Sequence, residues 1–365
     1  MRETDAIAEA RRNLEVCNAC RYCEGYCAVF PAMELRREFP ATDLGYLANL
    51  CHGCRGCFYA CQYAPPHEFG INLPKVFAEI RQESYVQYAW PQPMAKLFER
   101  NGTVVSVAAA LITALVMIGT ALFQSPDRLF GVHRGEGAFY AVIPHNVMVL
   151  LAGSTFVFAL VAIAISIARF WREAGGGAGP NGKQGMGKPL MQAVRDALTL
   201  KNLGGGGHGC NDTDGSFATS RRNLHHALFY GFMLCFASTN VATYYHYGLG
   251  LQAPYGYFSL PVILGTVGGI GMTVGASGLI WLKIVGDPEP VSRRLLGADY
   301  AMLVLLWMVA VTGLVLLAVR STSAMGVTLA IHLGFVLALF VALPYSRMVH
   351  GAYRFAALVR AAREH

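Results

Sequence analysis

The chain has 365 residues, of which 54% are hydrophobic and only 14% are charged, whereas charged residues make up about 25% of an ordinary soluble domain. This composition excludes a single soluble globule and predicts that much of the chain lies in lipid. The net charge of +7 does not indicate nucleic-acid binding, because the basic residues gather in loops between apolar blocks and no nucleic-acid motif is present.

The N-terminal segment MRETDAIAEARRNLEVC is charged and helix-prone. No basic start leads into an apolar stretch, and no small-residue cleavage site follows, so nothing indicates a secretory signal. We therefore expect residues 1–98 to form a cytoplasmic domain. In that reducing compartment, clustered thiols are far more often metal ligands or redox centres than structural disulfides.

Eight of the ten cysteines form an internal repeat. Two runs have the spacing C-x2-C-x2-C-x3-C, and the second begins 34 residues after the first. This is the spacing of two-cluster ferredoxins, in which the fourth cysteine of each run binds the other cluster. Structural zinc is the alternative, but it uses two separated pairs of cysteines. We therefore assign Cys17, Cys20, Cys23 and Cys61 to one [4Fe-4S] cluster, and Cys51, Cys54, Cys57 and Cys27 to the second.

Two amphipathic helices are predicted beside the cysteine runs. Between the runs, Thr42 or Asp43 is placed to cap a helix. After the second run, LPKVFAEIRQESYVQYAW puts Pro74 in the first turn of another. Helices that join two such widely separated runs resemble the all-helical ferredoxin domain of succinate dehydrogenase and heterodisulfide reductase subunits. The predicted fold is therefore mainly α, beginning with a helical two-cluster domain.

Six apolar runs of about 20 residues, the length that crosses the hydrocarbon, follow this domain. With the N-terminus inside, the connections expected in the cytoplasm carry fifteen Lys or Arg, against three in the opposite ones, which agrees with the positive-inside rule. We therefore expect residues 99–365 to form a six-helix transmembrane bundle with both termini in the cytoplasm. The predicted spans are 103–123, 143–168, 225–247, 260–282, 299–319 and 327–346.

The longest connection, residues 169–224, contains two glycine-rich stretches and is predicted to be a flexible cytoplasmic loop. A short helix is expected within it at PLMQAVRDALTL. His208 and Cys210 are either exposed loop residues or parts of a metal site or docking loop.

The segment GTVGGIGMTVGASG is not a dinucleotide-binding turn, because it lies in an apolar span and no βαβ unit surrounds it. The four-residue spacing of Gly265 and Gly269, and of Gly271 and Gly275, instead predicts close helix packing. No flavin or nicotinamide domain is expected in this chain. Its electrons must therefore arrive from a partner.

Histidines within membrane spans are expensive to bury and usually functional. A b-type haem with two histidine ligands needs one imidazole from each of two facing helices. One haem or two can be held in this way, and the alternative is that the rings only anchor the ends of the spans at the interface. The candidates are an inner pair of His225 or His226 with His350, an outer pair of His246 with His332, and His145 as a competing outer ligand.

Several longer segments carry a family resemblance that the cysteine runs alone do not. HLGFVLALFVALPYSRMVH resembles the haem-binding helix of the membrane subunit of respiratory nitrate reductase. Over nearly its whole length the chain resembles the tricarballylate utilization protein B, or CitB-type, family. The matching segments are CNACRYCEGYC, CHGCRGCFYACQYAPPHEF, YAWP, RRNLHHALFYGFMLCFAST, APYGYFSLPVILGTVGGIG and LPYSRMVHGAYRFAAL.

The resemblance implies a protein of the bacterial inner membrane with two [4Fe-4S] clusters and b-type haem. Such a protein reoxidises the FAD of a separate tricarballylate dehydrogenase and passes the electrons to membrane quinone. A similar module follows the flavin domain of the enzyme of aerobic cobalamin ring contraction, so a biosynthetic flavoenzyme is an alternative donor. A membrane redox sensor or haem transporter is a further alternative. No paired carboxylates or nucleophile–base arrangement suggest that this chain alone acts on a carbon substrate.

Overall fold

The computed structural model describes residues 1–98, 101–175, 185–205 and 209–364. These residues are mainly helical, as predicted, and contain no β-strand beyond one isolated bridge between Cys210 and Ala218. The helices are α1 Asp5–Cys20, α2 Val29–Glu34, α3 Ala41–Leu50, α4 Gly56–Tyr59, α5 Leu73–Tyr88, α6 Gln92–Leu97, α7 Asn101–Phe123, α8 Pro126–Leu129, α9 Ala138–Val142, α10 His145–Phe170, α11 Gly187–Leu198, α12 Ser220–Leu249, α13 Leu260–Val285, α14 Leu296–Val319, α15 Met325–Ala342 and α16 His350–Glu364.

The N-terminal domain is built from α1, α3 and α5, which bury a shared apolar core. Leu14, Leu47 and Phe77, one from each helix, are fully buried in it. The start of α5 is as predicted, with Pro74 in the first turn and the Asn72 side chain accepting a hydrogen bond from the Lys75 amide at 3.2 Å. The first cysteine run begins inside α1, and the second begins directly after α3.

The predicted cap of α3 is wrong. The helix begins at Ala41 after an extended Pro40, and no side chain caps it. Asp43 therefore lies inside the first turn, where its carboxylate pairs with Arg36 at 3.1 Å and with Arg360 of α16 at 2.7 Å. The tertiary ion pairs, rather than the local capping preference, determine what this side chain does.

The C-terminal helix α16 docks on the cluster domain. The Glu364 carboxylate, which is largely buried, pairs with Arg36 at 2.6 Å and accepts a hydrogen bond from the Tyr46 hydroxyl at 3.0 Å. The Arg360 guanidinium lies 4.0 Å above the centre of the Tyr46 ring. Buried charges of this kind are tolerated only when they are paired. The network thus fixes the cluster domain against the last helix of the chain.

Within the described ranges, five helices are long and apolar enough to cross a membrane: Gly102–Phe123, His145–Ala174, Leu260–Val285, Arg293–Val319 and Met325–Ala342. They coincide with five of the six predicted spans. The remaining one, 225–247, lies in α12, which has 30 residues and is long enough, but its histidine, tyrosine, asparagine and threonine side chains reduce its hydropathy. This composition supports a membrane protein, while the sixth span stays a prediction.

Helices α12 and α13 pack with their backbones almost in contact. A Cβ atom added at Gly275 would lie 2.5 Å from the backbone nitrogen of Leu228, and one at Gly268 would lie 2.7 Å from the carbonyl oxygen of Gly231. A Cβ at Gly269 would instead meet Leu314 of α14 at 3.0 Å. The predicted glycine-mediated packing is therefore confirmed, and it joins the polar helix α12 to an apolar neighbour.

We expect Gly275→Ala to destabilise the helix bundle by about 1–3 kcal/mol, the usual cost of overpacking. The new methyl group would meet backbone atoms of α12, which cannot rotate away as a side chain can. Gly153→Ala in α10 is the matched control, because a Cβ there meets nothing within 4 Å. Unfolding in detergent, followed by circular dichroism, should separate the two variants, and equal midpoints would contradict the prediction.

The connection 169–224 is described in part. Its short helix is confirmed as α11, while residues 176–184 and 206–208, with the candidate ligand His208, lie outside the described residues. Cys210 is fully buried, and the amide of Asn211 donates to the carbonyl oxygen of Cys54 at 3.0 Å. The described part from 209 to 219 is ordered because its backbone groups find partners in the second cysteine run.

Candidate iron-sulfur and haem sites

Two cavities lie side by side in the N-terminal domain, and all eight predicted cysteines line one or both of them. Cys57 also contributes to the lining of the first cavity, so the two are adjacent. The structure thereby brings the fourth cysteine of each run to the other run. The first cavity is lined by Cys17, Cys20, Cys23 and Cys61, and the second by Cys27, Cys51, Cys54 and Cys57.

Cysteine thiols in both cavities have raised pKa values, so they would lose protons when a cluster binds. Burial raises the pKa of the Cys17 thiol to about 12, and the charge of neighbouring Cys61 adds to the effect. Burial likewise raises the pKa of Cys27 well above its usual range, with Cys54 adding to it. Without a metal these thiols are protonated, and iron binding must displace the protons. All eight cysteines are free thiols, as such ligation requires.

The predicted cysteine ligands line the walls of the two cavities. Among the described residues, no three His, Cys, Asp or Glu side chains converge on one metal ion. The four cysteines of a [4Fe-4S] cluster bind four different iron atoms and therefore surround a volume instead of a point. The two cavities fit this geometry.

The cavities differ in exposure. The first is bordered by Arg21, Tyr22 and Gln62, which are exposed, and the Gln62 amide nitrogen lies 3.9 Å from the sulfur of Cys20. The second is more enclosed, and Cys54 in its wall is only 7% exposed. The first cavity is therefore the more accessible of the two from solvent.

Arginines from three helices hold the loop of the second cysteine run. Arg81 of α5 and Arg354 of α16 both donate to the carbonyl oxygen of Cys51, at 3.2 and 3.0 Å. Arg221 of α12 donates to the carbonyl oxygen of Gly53 at 2.6 Å. Two of these three helices follow the cluster domain in the chain. The second cavity is thus attached to the helix bundle.

His225 and His350 form the inner histidine pair, with ring centres 6.2 Å apart and planes at 89°. Two imidazoles on opposite sides of one metal ion have ring centres roughly 6–6.5 Å apart, given metal–nitrogen bonds of about 2 Å. The ring nitrogen Nδ1 of His225 is buried without a hydrogen-bond partner. The spacing and the unpartnered nitrogen fit axial ligation of a haem iron.

His350 has the surroundings of an oriented metal ligand. Its Nδ1 donates to the carbonyl oxygen of Arg347 at 2.6 Å, which leaves Nε2 unprotonated and available to a metal. Burial lowers the pKa of His350 to about 3, and the charge of Arg354 contributes. The ring is therefore neutral at physiological pH. Because Arg354 is one turn along α16 and also contacts Cys51, the pair lies next to the second cavity.

The outer histidines have other neighbours. His246 stacks on His145 with ring centres 3.7 Å apart and planes at 17°, a face-to-face contact that leaves no space for an iron between them. His332, the predicted partner of His246, has its Nδ1 3.0 Å from the hydroxyl of Thr312 in α14. His226 contacts the ring of Tyr230 at 5.7 Å. Because Nδ1 of His246 and Nε2 of His226 are also buried without a hydrogen-bond partner, ring spacing alone favours the inner pair, and the outer ligands stay a prediction.

Comparison with known proteins gives two family matches in this chain. Residues 10–87 match the family model for the citrate utilization protein B Fer4-like domain, and residues 97–365 match the model for citrate utilization protein B. The chain belongs to the citrate utilization protein B family. It is 47% identical over 362 residues to Citrate utilization protein B of Escherichia coli, covering 99% of this chain and 93% of that protein. No solved structure matches it.

Membership of the citrate utilization protein B family confirms the expected CitB-type resemblance. The match of residues 10–87 to a Fer4-like domain indicates that the cysteine domain is of the iron-sulfur type. Sequence reasoning missed the residues that connect this domain to the helices, above all Arg221, Arg354 and the loop around Asn202. Arg221 lies in the matching segment RRNLHH and Arg354 in LPYSRMVHGAYRFAAL, but neither arginine is near a cysteine in sequence. No local pattern indicates their contacts.

Proposed function

We propose that this member of the citrate utilization protein B family carries electrons from the reduced FAD of a partner dehydrogenase to membrane quinone. The route runs through two [4Fe-4S] clusters, bound by the eight cysteines, and a b-type haem bound by His225 and His350. The observation that carries the proposal is the order of the sites. An exposed cavity adjoins an enclosed one, and Arg354 connects the enclosed one to the helix that bears His350.

Iron-sulfur clusters and haem accept and release single electrons, which is the chemistry they supply when bound. The residues of this chain position that chemistry. Tyr22 and Gln62 border the entry side, the arginines fix the second cysteine run, and Arg347 orients His350. The proposed electron donor is a separate dehydrogenase, because the sequence shows no flavin-binding βαβ unit.

We propose that α12 is the sixth span, shielded by its close packing on α13. An even number of spans places both termini on the same side, and the excess of basic residues in the inner connections indicates the cytoplasm of a bacterial cell. The cluster domain then faces a cytoplasmic flavoprotein. The E. coli relative is named for citrate utilization, and the tricarballylate dehydrogenase implied by the family resemblance is our proposed donor.

The proposal is tested with the full chain in liposomes that contain a quinone. We expect reduced tricarballylate dehydrogenase to bleach the cluster absorption first, then reduce the b-type haem, and finally form quinol. Stopped-flow absorption spectroscopy follows the cluster and haem steps, and extraction measures quinol. Liposomes without the chain are the control. Reduction of the clusters and haem without quinol formation would contradict the proposal and favour a redox sensor.

A further inference from the structure

One side chain from the connection between α11 and α12 lines the second cysteine cavity. Asn202 lies in the 3₁₀ turn Lys201–Gly204, between α11 and α12. It lines the second cavity together with residues from the range 26–77. Among the described lining residues, it alone comes from outside the N-terminal domain. The long cytoplasmic connection therefore contributes a polar side chain to a site that the cysteine runs otherwise build by themselves.

The segment is anchored at this position by several contacts. The amide of Asn211 donates to the carbonyl oxygen of Cys54, and the guanidinium of Arg55 donates to the carbonyl oxygen of Asp212 at 2.8 Å. Leu203 and Cys210 are buried in one small apolar cluster with Cys54. Because both sides of the turn are held in this way, Asn202 is fixed in the wall of the cavity.

The Asn202 side chain carries an unused hydrogen-bond donor. The residue is only 9% exposed, and its amide nitrogen Nδ2 is buried without a hydrogen-bond partner. Leaving such a group unpaired costs about 1–3 kcal/mol. The sulfides and cysteine thiolates of an iron-sulfur cluster are hydrogen-bond acceptors that carry negative charge. A cluster in this cavity would therefore supply the partner that the amide lacks.

We propose that Asn202 donates a hydrogen bond to a sulfur of the second cluster and thereby raises the reduction potential of that cluster. The inference rests on the proposed function, since it requires the cluster. Reduction adds one negative charge to the cluster, so the hydrogen bond is stronger in the reduced state and favours it. Hydrogen bonds to sulfur are among the factors that determine cluster potentials.

The proposed hydrogen bond would bias electron transfer between the two clusters in one direction. At the first cluster, the comparable amide is that of Gln62, which is exposed and lies at 3.9 Å from the sulfur of Cys20. A hydrogen bond that competes with water stabilises the reduced state less than a buried one. The Asn202 amide would therefore add more to the potential of the second cluster than the Gln62 amide adds to that of the first. This difference would favour an electron on the second cluster, which is the one nearer to His350.

The test replaces Asn202 by Leu, which has a similar size but no donor, and by Asp, which adds a negative charge. Asn223→Leu is the matched control, because Asn223 is an exposed residue of α12 that does not line the cavity. The reduction potentials of both clusters in the full purified chain are measured by redox titration, with electron paramagnetic resonance as the readout. The signal of the second cluster is identified as the one that Cys27→Ala removes.

We expect Asn202→Leu to lower the equilibrium constant for reduction of the second cluster about tenfold, equivalent to about 59 mV for a one-electron couple. Asn202→Asp should lower it further, and the potential of the first cluster should not change. In deuterated buffer, pulsed electron paramagnetic resonance should show a hyperfine coupling between the reduced second cluster and an exchangeable deuteron. This coupling should be lost in Asn202→Leu. A purely structural role would not move both readouts.

Unchanged potentials in both Asn202 variants, with iron content retained, would overturn the inference while leaving the proposed function intact. An equal shift in Asn223→Leu would overturn it as well. If Asn202→Leu fails to retain iron, Asn202→Asp decides the question by itself. A wild-type protein without two clusters would overturn the proposed function, and with it the inference.

Discussion

Cys61→Ala is expected to remove the first cluster and spare the second, whereas Cys27→Ala is expected to do the reverse. Each of these cysteines is the fourth of its run, and each lines the cavity of the other run. The iron content of anaerobically purified protein should fall from about eight atoms per chain to about four in each variant. Electron paramagnetic resonance should show which of the two reduced clusters is lost.

Cys235→Ala is the control for this pair. Cys235 lies in α12, away from both cavities, and its sulfur is 3.9 Å from the carbonyl oxygen of Gly265. It should retain all of the iron. If Cys27→Ala instead removed the cluster of Cys17, Cys20 and Cys23, each run would bind its own cluster and the crossed ligation would be wrong. Either single loss interrupts the route, so quinol formation should fall to background in both variants.

His350→Ala is expected to abolish the b-type haem absorption band and to stop quinol formation, while both clusters remain reducible. Its imidazole is the one whose Nδ1 is fixed by Arg347, and its ring is at the spacing for axial ligation with His225. His225→Ala should have the same effect. Reduced-minus-oxidised absorption spectra measure the haem, and iron analysis measures the clusters.

Two further histidine variants serve as controls. His226→Ala should retain the haem, because that ring contacts Tyr230 instead of His350. His145→Ala should also retain it, since the ring of His145 stacks directly on His246. An unchanged reduced spectrum in His350→Ala would reject this ligand. Loss of the band in His145→Ala would show that an outer haem contributes to it.

The cysteine sites were largely predictable from the sequence. Cubane ligation is encoded by short spacings, so the two runs indicate their chemistry wherever they fold, and crossed pairing follows from ferredoxin precedent. Membrane spans are likewise encoded locally, by length and apolar composition. Helix α12 marks the limit of that approach, because its polar side chains lower its hydropathy although its backbone lies almost in contact with glycines of the apolar helix α13. Composition alone cannot show such contact.

The histidines were only partly predictable. His332 and His350 lie in two different helices, because α15 ends at Ala342 and α16 begins at His350. Neighbouring His225 and His226 differ by about 100° around α12, and both remained candidates. Packing decided between them, because the rotation of α12 against α13 and the position of α16 bring His225 next to His350. The same packing put His246 against His145, a contact that no spacing along one helix indicates.

The sequence by itself therefore determined the eight cysteines, the mainly helical fold, five apolar spans and the family, since these depend on spacing, composition and matching segments. Tertiary structure alone decided that His225 is the partner of His350, that Arg354 connects this pair to the second cysteine run, and that Asn202 enters the second cavity. These contacts join residues more than a hundred positions apart. They depend on how whole helices dock, which buried charge pairing and backbone contact control rather than any local pattern.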